Sequence, residues 1–418
     1  MLESQSVNKK IGRFDVLMAA PSVELVAYDQ QQLQELLNII DTPPNIQSSY
    51  SSFQFGWLVY FSYESAYFME PKLAHLITET SEPLAIAVYC QGAVVHDHLS
   101  NKTTLWAQSE STADRIQGSL VEKCKSRGCQ IELPHIKQED GVHFKQAVRH
   151  AKNLIKSGDI YQANLSRQYT CENNPTITPA SLFTRLRKSN PAPFAALLQV
   201  QGFAVVSSSP ERLFSIRNNT IETRPIAGTR PRGKTEAADE ELISELLDTP
   251  KERAEHIMLI DLERNDIGKV CQTGSVEVDE LMVIESYEHV HHIVSNIKGQ
   301  LRSDVTVVDA IKALFPGGTI TGCPKIRCME VIHEIEQRDR GCYTGSLGYI
   351  NHDGQVDLNI LIRTVGVSAD LIKFNAGAGI VFDSDPSAEL QETRHKAKGM
   401  IKALELNEYQ TQADQGEL

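Results

Sequence analysis

Beyond about residue 143 the chain keeps switching between two hydrophobic periodicities. That alternation restricts the fold most, because a sequence carrying both repeats must lay helices against sheets. Phe144, Val148, Ala151, Leu154 and Ile155 hold helical spacing and Gly158 follows as a stop signal, so IYQANLSRQYT begins just past a helix and enters a strand. The runs FAVVSSSPERLFSIR and TIETRPIAGTR flank Asn218 and Asn219, a hairpin signal. Thr249, Pro250 and Glu252 supply an N-cap, an N1 proline and a capping-box acid for a helix through RAEHIMLIDLERND to about Gly268. Another helix is predicted from about Pro324 through Ile335. A last one, AELQETRHKAKGMIKALEL, turns Leu390, Thr393, Ala397, Met400, Ile401 and Leu404 to its buried side. The expected class is α+β with large mixed or antiparallel sheets.

The segment 123–142 is the best candidate boundary, separating an N-terminal region, 1–130, from a denser region, 140–407, with 408–418 as a mobile tail. Ahead of it, FGWLVYFSY, PLAIAVYCQGAVVHD and TTLWAQ read as strands of a smaller sheet. At 41% hydrophobic the chain can bury a large core, and its net charge of −13 argues against nucleic acid or anionic lipid as partner. A small-molecule partner is favoured, and an anionic one would need local cations or a bound metal. No apolar run approaches the ~20 residues of a membrane span, and FDVLMAAP, broken by Asp15, is too short for a signal peptide. The 8 cysteines are scattered, which suggests reduced thiols and a cytoplasmic location; Cys124 with Cys129 and Cys323 with Cys328 lack the accompanying histidines of a zinc site.

Residues 315–330, FPGGTITGCPKIRCME, test a phosphate-loop reading. Gly317 and Gly322 have the right separation, but Cys323 and Pro324 stand where lysine and a hydroxyl residue are needed. What survives is a glycine-rich turn that either delivers a helix N-terminus to an anion or is simply tight. Glu389 and Glu392 share one helix face, with Lys396 placed to pair with Glu392. Glu255 lies in an otherwise apolar helical run and asks for a partner. Carboxylates from separate helices, completed by water and substrate oxygens, are a usual way to bind Mg2+. Arg363, after LNILI in a predicted strand, and Gly377 and Gly379 of NAGAGIVFDSD could meet an anion.

The motifs SGDIYQANLS, SSSPERL, TRPIAGTRPRG, RAEHIMLIDLERNDIGKV, VHHIVS, FPGGTITGCPKIRCMEVI, GSLGYI, ILIRT, AGAGIVFDSDP and ETRHKA occur in one order, and from about residue 143 to 404 the chain resembles the chorismate-utilising enzymes. The N-terminal part is similar only in LES and GRFDVL. The resemblance implies an anthranilate synthase component I-like fold, a β-sandwich core flanked by helices. It implies that Glu255 and Glu392, with Glu389 beside them, bind Mg2+, which holds the ring carboxylate of chorismate. By the same resemblance Arg363, Tyr349 and the amides of Gly377, Ala378 and Gly379 hold the enolpyruvyl carboxylate. Lys396 lies close to the metal, Thr319 lines the pocket, His292 is the active-site histidine, and Ala227, Gly228 and Thr229 contact substrate.

Water-using members carry a lysine base where this chain has Gln162, which points to the amine-using branch. IYQANLS and FPGGTITG are more similar to aminodeoxychorismate synthases, whereas Ala227 in PIAGT matches anthranilate synthases and cannot form the covalent adduct of a lysine. The expected product is 4-amino-4-deoxychorismate, with anthranilate and pyruvate as the alternative. No stretch resembles a glutamine amidotransferase, so a separate amidotransferase subunit is expected to supply ammonia. LES resembles the inhibitor-binding element of anthranilate synthases and leaves tryptophan feedback open. Cys323 stands where the family often has alanine and is read as packing.

Overall fold

A computed structural model describes residues 1–5, 12–41, 52–121, 136–174, 177–287 and 290–405. The expected tail, most of the boundary segment, and Cys124 and Cys129 lie outside the described residues.

Every strand pairing among the described residues is antiparallel, so the sheets are not mixed. The pairings follow one another as a strip that folds over itself. One half runs from Val290–Gln300 through Thr220–Thr223, Arg212–Arg217, Val356–Ile360, Ser346–Asn351 and Gly56–Phe61 to Ala85–Asp97 and Phe14–Ala27. The short strand Leu2–Glu3 links Phe14–Ala27 to Phe194–Val200, and the other half continues through Phe203–Ser209, Thr364–Ser368 and Leu371–Ile380 to Gln162–Glu172. Tyr60, Ile86 and Leu347 of the first half pack with Leu198, Phe203 and Val205 of the second, the interior of a β-sandwich.

Helices cover the outer faces. Gln30–Ile40, Pro250–Gly268 and Val307–Leu314 pack on the first half. Pro179–Ser189 and Pro386–Glu405, then Gly141–Lys156 and Lys325–Glu336, pack on the second. Asn218 and Asn219 take the left-handed φ of 49° and 63° that a tight hairpin between Arg212–Arg217 and Thr220–Thr223 requires. Helix Pro250–Gly268 begins where predicted, yet Thr249 makes no side-chain cap; its hydroxyl donates to the Glu245 carbonyl at 2.7 Å, and Glu252 pairs with Arg230. Pro324 is the N-cap of Lys325–Glu336, one position outside the helix.

Candidate active site

The alternation of the strands Gln162–Glu172 and Leu371–Ile380 creates one wall of a cavity of about 710 Å3. Ala163, Leu165, Ala378 and Ile380 turn into the core beneath helices Gly141–Lys156 and Lys325–Glu336, which leaves Gln162, Asn164, Asn375, Gly377 and Gly379 to line the cavity. The glycines are required by close approach rather than by backbone angle. A Cβ on Gly377 would run into the Tyr343 hydroxyl and come within 2.8 Å of Asn164 Oδ1, and one on Gly379 would lie 2.7 Å from Gln162 Nε2.

Facing this wall, Glu252 and Glu255 project from helix Pro250–Gly268, and Glu389 and Glu392 from helix Pro386–Glu405. Lys396 joins them and meets Glu392 at 2.7 Å, both about half-exposed, so water screens that pair. Arg230 reaches Glu252 at 2.8 Å. Arg363 also lines the cavity, from the break between strands Val356–Ile360 and Thr364–Ser368 rather than from within a strand. Its φ of 51° is left-handed, a conformation non-glycine residues adopt only where their surroundings hold them, and Nη1 lies 3.4 Å from Asn190 Oδ1. Burial pulls the guanidinium below its ordinary value, with the nearby Glu211 carboxylate opposing the shift.

The turn from Gly317 closes the cavity floor. Thr319 donates to the buried Glu211 at 2.8 Å, and burial raises this carboxyl to about 7 against the opposing Thr319 hydrogen bond and the Lys396 and Arg363 charges. A second buried acid, Glu263, accepts from the Gly318 N–H at 3.2 Å; burial and the neighbouring Asp266 charge raise it to about 8. The turn is therefore neither a phosphate loop nor a bare connection, since it sits between two buried carboxyls.

Of the residues singled out from sequence, Gln162, Ala227, Gly228, Thr229, Glu255, Thr319, Arg363, Gly377, Gly379, Glu389, Glu392 and Lys396 line this cavity. His292 lies behind the wall, with Nδ1 2.9 Å from Thr229 Oγ1, and burial lowers it to about 4, so near neutral pH the ring is uncharged. Ala378 points into the core. Tyr349 is misplaced by the sequence reading: it alternates to the sandwich interior and lines a separate cavity with Leu2, Glu3, Ser4 and Arg212. Tyr343, six residues earlier, is the tyrosine of the large cavity.

Glu211 was legible only as a member of the motif SSSPERL, and Tyr343 lies two residues ahead of GSLGYI, outside the motifs; nothing in their spacing separates them from neighbours. Among the described residues no three His, Cys, Asp or Glu side chains gather closely enough to enclose a metal. Glu252, Glu255, Glu389 and Glu392 line the cavity from the two helices alongside His395 and Lys396, and the carboxylates among them fit a hard cation that keeps water or substrate oxygens in its shell.

Comparison with known proteins bears on the family and the fold. The family model for chorismate binding enzyme matches residues 2–402, which takes in the N-terminal part that the motifs barely reached. An anthranilate synthase component I-like protein of Synechocystis is 44% identical over 84% of this chain and 73% of its own length. Aminodeoxychorismate synthase component 1 of Bacillus subtilis is 40% identical over 87% of this chain and 79% of its own. The crystal structure of anthranilate synthase component I from Streptococcus pneumoniae superposes with a TM-score of 0.82 at 30% identity, covering 94% of each chain. No helix among the described residues is long and apolar enough to cross a membrane. The chain belongs to the chorismate binding enzyme family.

Proposed function

We propose that this protein aminates chorismate to 4-amino-4-deoxychorismate, using ammonia delivered by a glutamine amidotransferase subunit. The observation that carries the reading is the buried Glu211 carboxyl, bonded to Thr319 in a cavity whose nearest counterpart to a water-activating lysine is the neutral Gln162. With its value raised to about 7, Glu211 is an acid available near neutral pH. As the amine nitrogen bonds to the ring, the ring C–O bond breaks and the departing hydroxyl takes the Glu211 proton and leaves as water. The new ammonium group returns a proton to the carboxylate, so the sum is chorismate plus ammonia to amino product plus water.

Arg363, Tyr343 and the glycine wall suit the enolpyruvyl carboxylate, and Thr229 is oriented by the neutral His292. Mg2+ would be held by Glu255 and Glu392 with Glu389 beside them, and when bound it supplies charge neutralisation for the ring carboxylate. The Bacillus subtilis relative's name supports the C4 product. A second reading, anthranilate with release of pyruvate, is favoured by Ala227: the cavity wall offers a methyl group where a covalent route would need an amine.

The deciding assay incubates purified protein with chorismate, Mg2+ and ammonium and resolves products by chromatography, with and without aminodeoxychorismate lyase. Formation of 4-aminobenzoate only when the lyase is present is the expected result. Fluorescent anthranilate without the lyase would establish the alternative, and no aminated product with either ammonium or a co-purified amidotransferase would overturn both.

A further inference from the structure

Outside the cavity, the most heavily bonded cation among the described residues is Arg340, whose side chain is 1% exposed and which the reaction described above does not use. Its guanidinium forks onto Glu336 at 2.8 and 3.1 Å. The remaining donors go to the carbonyls of two cavity-lining residues, Asn164 at 2.6 Å and Ile320 at 3.3 Å, and to Thr344 Oγ1 at 3.3 Å. The Tyr343 ring lies over the same cation, 5.5 Å from centroid to guanidinium carbon. Glu336 extends the connection, accepting from the Ser166 N–H at 2.7 Å while Asn375 donates to the Ser166 hydroxyl at 3.2 Å. Asn164, Ile320, Tyr343 and Asn375 come from four separate segments, and each lines the cavity.

We infer that Arg340 is a positioning residue, which holds the Asn164–Tyr343–Asn375 edge in register with Arg363 and so sets the subsite for the substrate's enolpyruvyl group. The inference rests on the functional reading above. A planar fork with five donors can join several carbonyls and a carboxylate at once, and a lysine ammonium cannot reproduce that geometry. Arg340→Lys therefore keeps the charge beside Glu336 and releases the carbonyl anchors.

The test is steady-state kinetics of Arg340→Lys, Tyr343→Phe and the double variant, with chorismate and ammonium varied in turn. Loss of register is expected to raise the KM for chorismate ~10-fold or more while the KM for ammonium stays within about twofold. The double variant is expected to be little worse than the poorer single one, since both disturb the same edge. If Arg340→Lys does not fold, Thr344→Val removes one acceptor at nearly constant volume and should produce the same selective rise at smaller size. Parallel changes in both KM values, strict additivity, or no change in the chorismate KM would overturn the positioning role. Absence of chorismate turnover by the wild-type protein would instead bring down the functional reading, and this inference with it.

Discussion

Glu211 shows how a single buried group carries both chemistry and a stability cost. Its carboxyl has an ordinary value of 4.5 and is raised to about 7 in the folded protein, mainly by burial. Between those values the native state holds the proton more tightly than the unfolded chain does, so its contribution to stability declines as pH rises through that window. Above about 7 the folded protein must accommodate a buried charge. Glu211→Gln should therefore lower kcat ~100-fold or more and gain thermal stability relative to wild type as pH is raised from about 5 to about 8, by up to roughly 3 kcal/mol. Melting curves at the two pH values check this, and a constant gap between variant and wild type would contradict it. Two tyrosines make a second residue-scale pair. Tyr343→Phe should raise the KM for chorismate, whereas Tyr349→Phe should leave it within about twofold, because Tyr349 lines a different cavity.

At the scale of elements, the paired strands Gln162–Glu172 and Leu371–Ile380 divide their labour by alternation, one face packing under helices and the other lining the site. The two glycines of the cavity face should respond differently to alanine. At Gly377 the new methyl would stand 2.8 Å from the Leu165 carbonyl, a backbone atom that cannot move without disturbing the ladder, so Gly377→Ala should cost about 1–3 kcal/mol in urea denaturation. At Gly379 it would meet only the tip of Gln162. Gly379→Ala should therefore cost less than about 1 kcal/mol and act chiefly on turnover by displacing that amide. Equal losses of stability at the two positions would show that the strand backbone, not the facing side chains, sets the tolerance.

At the scale of the whole molecule, the acidic pairs Glu252 with Glu255 and Glu389 with Glu392 lie on helices more than a hundred residues apart in the chain and meet across one cavity. Carboxylates brought together by folding repel one another, so a divalent cation that binds only the folded state should raise the melting temperature. Mg2+ is expected to do so in wild type and much less in Glu255→Gln, with chelation removing both the shift and turnover; an equal shift in the two proteins would place the cation elsewhere. Periodicity and turn chemistry alone determined the helices Gly141–Lys156 and Pro250–Gly268 and the Asn218–Asn219 hairpin, because those signals act over a few residues. Motif order identified the family and, among the residues that line the cavity, Gln162, Glu255, Thr319, Arg363, Glu392 and Lys396. Only the tertiary structure decided that Tyr343 rather than Tyr349 faces the cavity, that Glu252 pairs with Arg230 instead of capping its helix, that Glu211 and Glu263 are buried on either side of the glycine turn, and that Arg340 stands behind four parts of the wall. The reason is physical: which face of a strand is turned inward, and which charges lose their water, depend on residues that meet only after the two halves of the sheet close over one another.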